Sequence, residues 1–207
     1  PGARLGLCGV DNPFDAAPAA YARVRPTYPG RALDLVVAAP RRPVRDVVDL
    51  GAGTGKMSLA LAARGLAVRA VEPSAAMRTQ LRAAVASHTT HEGGTALVDA
   101  RAEATGLPTA SADLVVSAQA WHWFDGEAAG GEAARLLRPG GALAIVFNQM
   151  DVSDAWVHRL TRIMRSGDVH RVDTPPRVGA LLEAPRVEVV HWVEETTPET
   201  LMELATT

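Results

Sequence analysis

The stretch Val47-Val48-Asp49-Leu50-Gly51-Ala52-Gly53-Thr54-Gly55 limits what this chain can fold into more than any other. A nearly continuous apolar run enters a turn with glycine at every second position, and an amphipathic run follows at once. A run apolar throughout is the mark of a parallel strand buried on both faces. Glycine lets the turn adopt left-handed backbone and lets a ligand come close to it. The helix start beyond offers unpaired N–H groups that suit a carboxylate or phosphate. The competing reading is a tight turn with a structural role only, and its neighbours must decide.

The same rhythm recurs along the chain. Short apolar runs at Val44–Leu50, Val68–Glu72, Ala96–Val98, Asp113–Ala118, Ala142–Phe147 and Val187–Val193 predict strands. Between them lie helical patterns. Met57, Ala60, Leu61 and Arg64 share a face ended by Gly65, and Ser74 can cap a helix striped with Met77, Leu81 and Val85. Asp125 can cap a third helix that stops at Arg138-Pro139-Gly140-Gly141. Ser153 opens a fourth with Trp156, Leu160, Ile163 and Met164 at helical spacing. Strands alternating with helices give right-handed crossovers and an open α/β sheet. Ligands of such sheets bind beyond the carboxyl ends of the strands, where the strand order reverses.

Composition excludes several classes. The chain has 207 residues, a formal net charge of −2 and no block of like charge, which argues against nucleic-acid or membrane-surface binding. No apolar run is long enough to span a bilayer, and the N-terminus lacks the layout of a signal peptide. Cys8 is the only cysteine, so no internal disulfide or cysteine metal site can form, and a cytoplasmic location is expected. His88 and His91 flank two threonines without a carboxylate pattern, so no metal site is expected.

Glu72 ends the second strand, 21 residues after Gly51. An acid at that distance, on the neighbouring strand, is placed to accept hydrogen bonds from both hydroxyls of a ribose. The dinucleotide fingerprint wants a further glycine where this chain has Lys56. The phosphate-binding P-loop needs Ser or Thr after its lysine, and Met57 stands there. S-adenosylmethionine fits better, since it carries a ribose, an adenine and a zwitterionic tail, and no phosphate.

Taken together these segments resemble class I methyltransferases that use S-adenosylmethionine, in the type 11 branch that includes trans-aconitate methyltransferase-like, small-molecule enzymes. Asp49-Leu50-Gly51-Ala52-Gly53-Thr54-Gly55 followed by Val71-Glu72-Pro73-Ser74 resembles the glycine motif and ribose acid of that class. Phe14-Asp15, Tyr21 and Arg25-Pro26-Thr27-Tyr28-Pro29 resemble the branch's N-terminal stretch. So do Ala102-Glu103, Leu107-Pro108 and Gln119-Ala120-Trp121-His122-Trp123-Phe124 in their own signatures.

The resemblance implies a Rossmann-like fold, a mostly parallel twisted sheet with helices on both faces. It implies that Asp49, Gly51, Ala52, Gly53 and Gly55 approach the methionine part of the cofactor, with Asp49 fixing its ammonium. Glu72 takes the ribose, the Ala102 backbone reads the adenine, and Gln119 lies beside the sulfonium. Many relatives carry an aspartate where this chain has Arg101, which has no acceptor, so Glu103, a backbone carbonyl or a looser fit replaces it. Residues 1–40 are then lid helices and 41–207 the cofactor-binding domain. Tyr21 and Arg25 sit on the helix expected at Asp15–Val24, which either closes over the cofactor or simply packs on the sheet.

Trp121, His122 and Trp123 are contiguous rather than spaced at 2 or 3.6, which favours a substrate-side wall over core packing. His122 is a candidate general base, against the plainer reading of a packed histidine. Relatives close their sheet with a sixth and a seventh strand. Here 14 residues follow Val193, with a helix start at Thr197-Pro198-Glu199, so the final strand is expected to be absent and the domain C-terminally incomplete. The resulting edge would favour aggregation. The expected activity is methyl transfer to a small-molecule acceptor. Two alternatives stay open: an NAD(P)-dependent oxidoreductase, and a cofactor-binding protein without catalysis.

Overall fold

A computed structural model describes residues 25–87, 94–163 and 174–204. The strands are β1 (Asp46–Leu50), β2 (Ala67–Val71), β3 (Thr95–Val98), β4 (Ala112–Ala118) and β5 (Leu137–Val146). The helices are α1 (Gly30–Ala38), α2 (Lys56–Ala62), α3 (Ala75–Ser87), α4 (Gly126–Leu136), α5 (Ala155–Ile163) and α6 (Pro198–Leu204). One 3₁₀ turn, Trp121–Trp123, follows β4. The five strands lie in the order β3-β2-β1-β4-β5, every neighbouring pair parallel. The order therefore reverses between β1 and β4, and the glycine turn leaves β1 at that point.

Strand periodicity of two divides the core into layers. Val47, Leu114 and Val116 face α1 and α2, where they meet Leu33, Val36, Met57 and Leu61. Val48, Leu50 and Val115 face the other way, onto Ala129, Ala133 and Leu136 of α4 and onto Trp121. Leu81 of α3 packs on Ala52 and Ala70. Local signals set the helix starts. The Asp125 carboxylate accepts from the N–H groups of Glu127 and Ala128, both at 3.1 Å, and Ser74 Oγ from Met77 N at 3.2 Å.

Three elements differ from the sequence expectation. The strand expected at Val187–Val193 does not form, and Val187, Val189 and Val193 are 46%, 57% and 93% exposed. Its apolar run is compatible with a strand, but no neighbouring strand pairs with it among the described residues. Secondly, α4 ends at Leu136, just ahead of Arg138-Pro139-Gly140-Gly141 as expected, but these four residues belong to β5 and do not precede it. Leu137 pairs with Ala112 and Ala142 with Leu114, so the residues between them bulge out, and there Arg138 Nη1 donates to Asp46 Oδ2 at 2.7 Å and Asp113 Oδ1 at 2.9 Å. The register shifts between Ala112 and Leu114, which absorbs the irregularity. Thirdly, α1 lies inside the segment read as lid helices, yet it buries Leu33 and Val36 in the sheet core. The helix expected at Asp15–Val24, with Tyr21, lies outside the described residues, as do His88 and His91.

Glu132 ties α4 to the loop after β3. Its Oε1 accepts from Thr105 N at 2.9 Å and Thr105 Oγ1 at 2.5 Å, and Arg135 donates to both carboxylate oxygens at 2.7 Å. The Arg135 hydrogen bond, helped by Thr105, holds the Glu132 carboxyl down at about 2 despite its burial. Glu132→Ala would leave buried donors unmatched, and chemical denaturation at pH 7 should show a loss of about 2–4 kcal/mol. The folded state binds fewer protons than the unfolded one here. The contribution is therefore present above about pH 4.5 and disappears as pH falls toward 2.

Candidate functional site

Parallel register sets Leu50 against Val71, so Gly51 and Glu72 leave their strands side by side. Gly51 N and Ala52 N both donate to Val71 O, at 2.9 and 3.0 Å. The glycines of the turn serve different ends. A Cβ on Gly51 (φ +71°) would lie 2.6 Å from Ala120 Cβ and 2.9 Å from Phe124 Cζ, and one on Gly55 (φ +92°) would overlap Leu81. At Gly53 (φ +56°) it would meet nothing within 4 Å. The protein itself fills the space at Gly51 and Gly55, and the turn is open at Gly53.

Glu72 faces that opening. It is 6% exposed, its Oε2 accepts from Gly53 N at 2.9 Å and its Oε1 from Ser74 N at 2.8 Å. A carboxylate has about four lone-pair sites, and these two backbone bonds fix its orientation at the opening. Arg78 braces the turn by donating to the carbonyls of Glu72 and Pro73 at 2.9 and 2.7 Å, and to Asp99 Oδ2 at 2.7 Å.

Asp49, one residue before the end of β1, is 1% exposed. Ser58 Oγ donates to its Oδ2 at 2.6 Å, while its Oδ1 is buried with no hydrogen-bond partner. Burial pushes its carboxyl up to about 7. The Ser58 bond opposes that rise, and the Glu72 charge adds to it. Two neighbouring carboxylates, one with an orphaned oxygen, make a place that favours a cation with N–H groups. The sequence reading missed Ser58. Its only signal is a small polar residue on the buried face of α2, among Met57, Leu61 and Ala62.

After β3, Arg101 and Ala104 form an isolated antiparallel bridge around Ala102, which is 3% exposed. Glu103, a candidate replacement acceptor, has partners of its own. Its Oε2 lies 3.3 Å from Arg101 Nε and its Oε1 accepts from Asp125 N at 3.2 Å. After β4, Gln119 is held at φ +59°, an uncommon conformation for a residue with a side chain. Its Nε2 donates to Asn148 O at 2.8 Å, and Asn148 Nδ2 donates to Thr27 O at 3.1 Å. Asn148 thus joins β5 to the stretch before α1, a link the sequence analysis did not assign. Arg25 lies in that stretch and is half-buried.

The contiguous aromatics divide. Trp121 is 3% exposed, turned into the core, with its ring 5.7 Å from Phe124 in an edge-to-face contact. It is not part of an open wall. His122 and Trp123 face outward, ring centroids 4.9 Å apart, with Trp123 57% exposed and Phe147 6.2 Å from His122. Among the described residues no cluster of His, Cys, Asp and Glu could hold a metal, and no helix is long and apolar enough to cross a membrane. A hollow lined by Ala67, Arg69, Gly94 and Ala96 lies at the amino ends of β2 and β3, the opposite end from these residues.

The chain is similar to known proteins in sequence and in fold. Residues 48–145 match the family described as a methyltransferase domain. An uncharacterised methyltransferase of Mycobacterium tuberculosis is 42% identical over 197 residues, covering 92% of this chain and 74% of that protein. An uncharacterised methyltransferase-like protein of Schizosaccharomyces pombe is 30% identical over 164 residues, 78% of this chain and 60% of its own length. Among solved structures, a protein of Anaeromyxobacter dehalogenans assigned as a type II methyltransferase is 32% identical with a TM-score of 0.56. That match covers 74% of this chain, and the chain spans 62% of the other's length. A Methanococcus maripaludis structure at 22% identity and a TM-score of 0.56 shares the fold. With the sheet order, the glycine turn and the matched span in agreement, the chain belongs to the class I S-adenosylmethionine-dependent methyltransferase family.

Proposed function

We propose that this chain binds S-adenosylmethionine in the crevice beyond β1, β2 and β4 and directs its methyl group onto a small-molecule acceptor in the cytoplasm. The observation that carries the reading is the pair of buried carboxylates, Glu72 turned onto Gly53 and Asp49 with its unpartnered Oδ1. These residues fit the group: one acid for a ribose diol, a second for an ammonium, and an open glycine between them. When bound, the cofactor supplies a methyl carbon on a sulfonium. Transfer would be an in-line displacement in which the acceptor's lone pair takes the methyl carbon, the carbon–sulfur pair stays on sulfur, and S-adenosylhomocysteine is released.

The protein's part is positioning. Asp49 Oδ1 accepts from the ammonium and Glu72 from the ribose hydroxyls, while Gly53, with Gly51, Ala52 and Gly55 shaping the turn, admits the methionine part. The backbone at Ala102 meets the adenine, with Glu103 or a backbone carbonyl as the acceptor for its amino group. Gln119, fixed at the reversal point, stands beside the sulfonium. His122 and Trp123 form the acceptor side, where an aromatic face also favours a cation. Tyr21 and Arg25, on the segment ahead of α1, supply the lid. A nitrogen, sulfur or carboxylate acceptor needs orientation and exclusion of water, and only a hydroxyl or carbon acceptor gives His122 work as a base.

Calorimetric titrations with S-adenosylhomocysteine and with NAD separate this reading from the oxidoreductase alternative. Binding of the first in the micromolar range and none of the second is expected, at about −8 kcal/mol. Binding of NAD alone would overturn it. Single-turnover transfer of labelled methyl into a metabolite extract distinguishes an enzyme from a binder.

A further inference from the structure

Residues 174–179 lie across α4, the helix that begins just after the aromatic turn. Gly126 and Gly130 are four apart and share a helix face. A Cβ on Gly126 would fall 2.5 Å from Arg177 O, and one on Gly130 would overlap Val178 O, while one on Gly131 would meet nothing within 4 Å. Backbone therefore rests on backbone along one face of α4. Trp121 Nε1 donates to Arg177 O at 3.0 Å, and Val178 packs in the cluster that holds Trp121, Ala129 and Ala133. Gly179, at φ +75°, then turns the chain beside Glu127.

We infer that Gly126, Gly130 and Trp121 form a seat for the Arg177–Val178 backbone, and that this seated strap positions the aromatic segment on the acceptor side. The inference rests on the proposed role of His122 and Trp123. Trp121 is fixed at its ring edge by Phe124 and at its N–H by Arg177 O. It opens the turn that carries His122 and Trp123, and Phe124 beyond it rests on Gly51. Unseating the strap removes the acceptor and the covering backbone from the Trp121 indole, so the turn loses the contacts that fix its ring. Gly130 is in this sense a positioning residue, acting through Trp121.

The test uses the whole chain with Trp156 and Trp192 replaced by phenylalanine, so that Trp121 and Trp123 are the reporters. Gly130→Ala should raise tryptic cleavage after Arg177 by about tenfold or more, because a strap lifted from its seat opens locally. It should also change the near-ultraviolet dichroism of the tryptophans, while S-adenosylhomocysteine affinity stays within about threefold of the parent. Gly131→Ala, with the same gain in helix propensity and no contact to disturb, should do neither. Trp121→Phe keeps the ring and removes the donor, so it should raise the same cleavage even if Gly130→Ala fails to fold. Wild-type cleavage rates in both Gly130→Ala and Trp121→Phe, or equal rates in the Gly130 and Gly131 variants, would overturn the inference. Failure of the parent to bind S-adenosylhomocysteine would instead count against the proposed function and leave the strap measurement readable.

Discussion

Replacing Glu72 with alanine is expected to weaken S-adenosylhomocysteine binding about 100- to 10,000-fold. Hydrogen bonds to a charged partner are worth roughly 1.5–3 kcal/mol each, and two ribose hydroxyls depend on this carboxylate. Its position is set before any ligand arrives, because Gly53 N and Ser74 N hold its two oxygens at 2.9 and 2.8 Å. The same bonds mean that the variant loses some order in the glycine turn. A melting curve must accompany the titration. Glu72→Gln keeps one carbonyl oxygen and turns the other acceptor into a donor, so it should fall between, at about 10- to 100-fold. A 2′-deoxy ligand should bind the parent more weakly and the alanine variant no worse than the full ligand. Unchanged affinity in Glu72→Ala would remove the ribose assignment.

Asp49→Asn should have opposite effects on stability and on binding. The folded core holds the Asp49 carboxyl at about 7, raised chiefly by burial, against an ordinary value of 3.8. Between those values the folded state carries more protons than the unfolded one. Stability from this group is therefore greatest below about pH 4, falls as pH rises through 7, and then levels. Asparagine has no charge to bury. Above pH 7 the variant should exceed the parent by on the order of 2–4 kcal/mol, and near pH 4 the two should converge. Cofactor-product binding should weaken about 100-fold or more at pH 8, since the acceptor for the ammonium has lost its charge. In the parent, affinity should rise from pH 6 to 8, with a proton released to buffer on binding. A parent whose affinity is flat across that range would contradict Asp49 as the ammonium partner.

The parts of the fold that depend on neighbours in sequence were legible there. The glycine turn after β1, the acid ending β2 and the Asp125 cap of α4 each follow from local geometry. What depends on tertiary neighbours was not. Val187–Val193 has the apolar run of a strand, but a strand needs a partner as well as a pattern, and none pairs with it among the described residues. Arg138-Pro139-Gly140-Gly141 reads correctly as the end of α4, while its place inside β5, where Arg138 meets Asp46 and Asp113 from far away in sequence, was not legible locally. Contiguity set Trp121, His122 and Trp123 apart as a group, yet a 3₁₀ turn sends Trp121 inward and its two neighbours outward. Ser58 and Gly130 matter only through what lies opposite them: a carboxylate in one case, a passing carbonyl in the other.

Diffraction from crystals grown with S-adenosylhomocysteine tests the central claim most directly. The account expects ligand density beyond β1 and β2, with both ribose hydroxyls on the Glu72 carboxylate and the amino group against Asp49 Oδ1. Density at the amino ends of β2 and β3, between Ala67 and Ala96, or a ribose that leaves Glu72 untouched, would contradict it.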